Sequence, residues 1–71
     1  MIRYPVGTNI LVKNMERRDH DPIEVKILKK APNHIKVEIL SEGWFKVGNI
    51  EWLCTASWIK KQWFAVGKVD K

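Results

Sequence analysis

Ile23-Glu24-Val25-Lys26-Ile27 and Ile35-Lys36-Val37-Glu38-Ile39 decide the fold of this 71-residue chain. In both stretches β-branched residues alternate with charged ones at period two, the pattern of a strand with one buried and one solvated face. Between them lies Lys29-Lys30-Ala31-Pro32-Asn33-His34, whose Pro-Asn pair suits a turn. The three segments together predict an antiparallel hairpin. Ile23, Val25, Ile27, Ile35, Val37 and Ile39 then share one core face. On the other face Glu24 and Lys26 are placed to lie across from Lys36 and Glu38, and opposite charges so placed contribute about 0.2–1 kcal/mol per pair.

Upstream of the hairpin, Gly7-Thr8 opens Asn9-Ile10-Leu11-Val12-Lys13, a short β-rich run that reads as a first strand. Asn14 to Pro22 is polar apart from Met15 and ends in Asp-Pro, which predicts a long exposed loop. Downstream, Ser41-Glu42-Gly43 reads as a turn and Trp44-Phe45-Lys46-Val47 as a fourth strand. Gly48-Asn49 reads as a second turn or a 3₁₀ turn, and Ile50 to Thr55 as a fifth strand. Five short strands with one long loop predict an all-β domain, a strongly bent sheet that closes on itself. From Ala56 to Val66 the pattern is ambiguous. Trp58, Ile59, Gln62, Trp63 and Val66 have helical spacing, with Ser57 as cap and Gly67 as stop, whereas Trp63 to Lys68 also alternates as a strand does. Gly67 to Lys71 reads as a frayed end.

Composition narrows the class. Seventy-one residues make one domain, and 45% hydrophobic with 30% charged residues and four tryptophans describe a folded chain. Cys54 alone forms no internal disulfide, which fits a reducing, cytoplasmic setting. No stretch reaches the roughly 18 apolar residues of a membrane helix, and Met1-Ile2-Arg3-Tyr4-Pro5 lacks the pattern of a signal peptide. A net charge of +5 favours anionic partners.

Val6 to Val12, the polar loop, and the pair Pro22 to Ile27 and Ile35 to Ile39 resemble SH3-like small β-barrels of the Tudor and KOW kind. Gly43 to Leu53 is similar to the end of small barrel proteins common in phages and prophages. The resemblance covers residues 5 to 55, with residues 56 to 71 as a C-terminal extension. It implies an SH3-like barrel that binds nucleic acid, proline-rich or methylated peptides, or other proteins of an assembly, in the host cytoplasm or in a virion. Methyl-lysine reading needs several ring faces around one cation, and Asn14 to Pro22 contains no Phe, Tyr or Trp. Polyproline binding wants an acidic long loop, whereas this one carries Arg17 and Arg18, although Tyr4, Trp52 and Trp58 leave room for a groove.

Nothing in the chain calls for catalysis. His20 between Asp19 and Asp21 reads as a solvated turn, Cys54 as a small buried hydrophobe, and no phosphate loop or paired-cysteine site is present. The chain therefore reads as a binding module without enzymatic activity, metal or cofactor. Arg17-Arg18, Lys29-Lys30 and Lys60-Lys61 stand as basic pairs at chain reversals, which can converge on one barrel end. Positive charge beside ring faces, as in Trp58 to Phe64, is what holds single-stranded nucleic acid. Nucleic-acid binding, to DNA or RNA, is the leading reading. Against it stands the ordinary use of tryptophan as core and of charge as solvated surface. The alternative is a protein contact through Trp58, Trp63 and Phe64, either in a homo-oligomer or in a larger assembly, unless the tail folds back onto its own monomer.

Overall fold

The alternating residues lie where their period places them. A computed structural model describes residues 3–69, and in it Ile23, Val25, Ile27, Ile35, Val37 and Ile39 are all buried. They sit on β2 (Ile23–Ala31) and β3 (His34–Ile39), which pair antiparallel. The hairpin turn is confined to Pro32-Asn33, since Ala31 pairs with His34. Lys29 and Lys30 thus belong to β2 and not to the turn, a correction to the predicted boundary.

A two-residue turn at that position creates a parity problem. Unbroken pairing back from Ala31 and His34 would set Ile27 against Glu38, a core residue against a solvated one. The ladder instead slips by one residue between Ile27 and Lys29, which leaves Leu28 as the extra residue and restores Ile27 opposite Val37. The turn and the bulge together decide the charge pairs across the hairpin. Lys26 faces Glu38 as predicted, but Lys36 faces Lys29, and Glu24 lies across from Leu11 of β1 (Asn9–Asn14).

Two further strands complete the sheet, β4 (Ile50–Cys54) and β5 (Trp63–Lys68), in the spatial order β4-β3-β2-β1-β5 with every neighbour antiparallel. The ambiguous tail therefore supplies a strand and no helix. Its alternation prevails because Trp63 enters the core while Phe64 pairs with Lys13 on the far face. Trp44 to Val47, predicted as a strand, runs as a bend that passes into a turn. The segment before it is held to β2, with the Glu24 amide donating to Ser41 Oγ at 2.8 Å and the Leu40 amide donating to the Glu24 carbonyl at 2.9 Å. Gly43 sits at φ +147°, where a Cβ would come within 3.3 Å of Ile23 Cγ2. A side chain there would press on the core.

Ile10, Val12, Leu53 and Trp63 join the six hairpin residues in one cluster, with Tyr4, Phe45 and Ala65 packed against it. All the strand residues of that cluster lie on one face, so the sheet buries them by curling, helped by a second bulge in the β1–β5 ladder. The sheet nevertheless stays open. β4 and β5 are its two edges and no ladder joins them, contrary to the predicted closure. Residues 55–62 cross between these edges, from the Thr55 amide on the Asn33 carbonyl to the Met15 amide on the Gln62 carbonyl, both 2.8 Å. Thr55 and Ala56, at the start of that crossing, are buried. At the chain end, Gly67 and Lys68 close β5 and the Val69 amide donates to the Asn9 carbonyl at 3.0 Å, so the predicted fraying does not begin at Gly67. Asp70, Lys71, Met1 and Ile2 lie outside the described residues. No helix among the described residues is long and apolar enough to cross a membrane.

Candidate nucleic-acid interface

The three predicted basic pairs do not gather at one end. Arg17 lies in a 3₁₀ turn, Met15–Arg17, whose N-cap is Asn14. The Asn14 side chain joins two loops: its Oδ1 accepts from the Glu16 amide at 3.0 Å and its Nδ2 donates to the Lys61 carbonyl at 2.9 Å. Through Asn14 the loop bearing Arg17 and Arg18 is tied to the crossing that bears Lys60 and Lys61. Lys29 and Lys30 stand six or more residues along β2 from Ile23, about 20 Å away at strand rise. They also face opposite sides of the sheet, and Lys30 Nζ donates to the Tyr4 carbonyl at 3.1 Å.

Arg17 is engaged at its own end. Its guanidinium carbon lies 5.9 Å over the Trp44 ring, and its Nε is 3.9 Å from Asp19 Oδ1. Trp44 in turn meets His20 and Trp63 edge-on, at 5.2 and 5.3 Å between centroids, and Phe45 lies 5.7 Å from Trp63. Trp44 and Phe45, the only rings the sequence offers for a wall opposite the long loop, thus do lie there, and Trp63 joins them, which sequence spacing did not reveal. His20, Trp44 and Trp63 border a cavity of about 170 Å³ lined also by Asn14, Asp21 and Glu42. His20 is exposed in its turn, as the sequence suggests, and its ring also meets Trp44 edge-on. Among the described residues no group of three His, Cys, Asp or Glu side chains is placed to hold a metal ion.

The predicted aromatic contact is divided in the same way. Trp63 is core, Phe64 is half-buried on the far face, and Trp58 alone is presented to solvent, at 73% exposure. The polyproline groove is not assembled either, because Tyr4 packs against the core cluster while Trp52 lies on the opposite face of the sheet. Cys54 is half-buried on that same far face, directly opposite His34, and not within the core as predicted.

What the fold does assemble is a row on the solvated face of three adjacent strands. Lys29 of β2 lies opposite Lys36 of β3, and Lys36 lies opposite Trp52 of β4. Opposed residues on antiparallel strands point to the same side, with Cβ atoms about 4.5–5.5 Å apart. Among the described residues neither lysine has a carboxylate within 4 Å. The next row holds Lys26, Glu38 and Ile50, and it adds one acid and another exposed apolar group. Trp52 is half exposed because β4 is an edge. Sequence singled out Trp52 only for a groove with Tyr4 and Trp58, and Lys36 only for a charge pair across the hairpin, because the row depends on the registers of two separate ladders. Comparison with family models, with curated proteins and with solved structures returned no match to this chain.

Proposed function

We propose that this chain is a non-catalytic nucleic-acid-binding domain of SH3-like architecture, which contacts phosphate through the solvated face of β2 and β3. The observation that supports the reading is the cross-strand pair of Lys29 and Lys36. Two like charges set directly opposite each other weaken a sheet by about 0.2–1 kcal/mol, and among the described residues neither forms an ion pair within 4 Å, Glu38 lying one row away opposite Lys26. A bound anion removes that penalty and turns the pair into a phosphate clamp. The net charge of +5 draws such a ligand in from a distance, and Arg17, Arg18, Lys60 and Lys61 extend the attraction at the end tied by Asn14. Support for the architecture comes from a first strand lying between the second and the fifth, and from a seam left between fourth and fifth.

Oligonucleotide titration at rising salt tests the reading. Phosphate contacts make affinity fall steeply with salt, and Lys29→Ala or Lys36→Ala each lowers the slope of log K against log salt by about one unit. Absence of binding at 50 mM salt, or slopes untouched by both substitutions, overturns it. A second reading rests on Trp58, whose 73% exposure on the crossing between β4 and β5 suits a protein contact in a homo-oligomer or a larger assembly.

A further inference from the structure

The geometry points to single-stranded nucleic acid as the ligand of this face, with one base stacked on Trp52 while Lys29 and Lys36 hold the adjoining phosphates. This rests on the phosphate-binding role proposed above and adds the form of the ligand.

Trp52 stands in one row with the two lysines, and Lys29, two strands away, is within about 10 Å of it. Half of the residue is open to water, and Ile50, two residues along the same face, is exposed to the same degree. An indole beside free ammonium groups on an open edge strand provides the two elements of a single-strand site, a ring face and positive charge. A duplex would leave half of this arrangement unused. Its bases are already stacked on each other, so Trp52 would meet only sugar and phosphate. Groove reading by β structure needs a projecting two-stranded ribbon. The β2–β3 hairpin does not project in that way, because β4 flanks β3 from Glu38 to His34, up to the turn itself. No side chain in the row is built for bidentate reading of a base edge, since lysine is a point charge and indole offers a single donor. Binding on this face is therefore tolerant of sequence.

Fluorescence anisotropy of the full chain with a labelled 12-nucleotide oligothymidine, and with a 12-base-pair duplex, decides the matter at 50 mM salt. The single strand is expected to bind at least tenfold more tightly. Trp52→Ala is expected to weaken it by about 5- to 140-fold, which is the stacking of one base converted at tenfold per 1.4 kcal/mol. The salt slope should stay as in the unaltered chain. Trp52→Phe keeps a ring and should recover most of the loss, and Trp58→Ala should change affinity less than twofold. Circular dichroism confirms that each variant is folded, and Trp52→Leu replaces any that is not. Duplex binding as tight as single-strand binding, or Trp52→Ala without effect, overturns the single-strand assignment while leaving phosphate binding intact. Failure of both ligands to bind overturns the phosphate role as well.

Discussion

Replacing Asn14 with alanine removes a side chain that ties the long loop to the crossing segment, and the cost can be worked from its contacts. Asn14 is buried at 5% exposure and makes two hydrogen bonds, accepting from the Glu16 amide and donating to the Lys61 carbonyl. The first is an N-cap bond, whose loss to alanine costs about 1 kcal/mol. Loss of the second leaves a partly buried carbonyl unpaired, at about 1–2 kcal/mol. Asn14→Ala should therefore lower stability by about 2–3 kcal/mol, a large share of the roughly 5–15 kcal/mol that holds a domain together. In a chain of this size that corresponds to a fall in Tm of about 10–20 °C. Asn14→Asp separates the two bonds, since a carboxylate still accepts from Glu16 but cannot donate to Lys61. Its loss should be at least about 1 kcal/mol. Urea unfolding followed by tryptophan fluorescence, with thermal melts by circular dichroism, measures both variants. A change within about 0.5 kcal/mol for Asn14→Ala, the level of an ordinary surface substitution, would refute the assigned bonds.

Val37→Asp places a carboxylate at the centre of the core, where an unpaired charge costs several kcal/mol, and should unfold the domain; a dispersed amide spectrum from this variant contradicts the register. Deleting residues 57–71 removes β5 and Trp63 and should abolish cooperative unfolding at every concentration, so a truncated chain that still melts cooperatively counts against the sheet order. Trp58→Ser should shift Tm by no more than a few degrees, because most of Trp58 is open to solvent in the monomer. A melting temperature that rises with concentration in the unaltered chain, and ceases to do so in Trp58→Ser, supports the protein-contact reading.

The hairpin is legible in the letters because period two is a local property, visible wherever Ile and Val alternate with Lys and Glu. The first strand and the turn at Gly48 are local in the same sense. Trp44 to Val47 misleads for a physical reason: Trp44, although 40% exposed, and the half-buried Phe45 both pack on the Trp63 ring, so their apolar character marks packing and not strand pairing. The tail shows the reverse, since Trp63 has both helical and strand neighbours in sequence and only the pairing of Asn14 with Trp63 resolves the choice. The candidate site was harder to see. Lys29 and Lys36 meet because the turn is only two residues long, and the bulge at Leu28 lets that register coexist with the core pairing of Ile27 and Val37, which no single segment reveals. Trp52 joins them only through the register of a third strand.

The most direct test of the central claim is an amide-shift map of the labelled chain as a short single-stranded oligonucleotide is added at low salt. Binding on the solvated face predicts the largest changes at Lys29, Lys36 and the Trp52 indole N–H, smaller ones at Lys26 and Ile50, and none at the buried amides of Val37 and Val25. Changes confined to Arg17, Arg18, Lys60 and Lys61, or an unchanged spectrum, would contradict it.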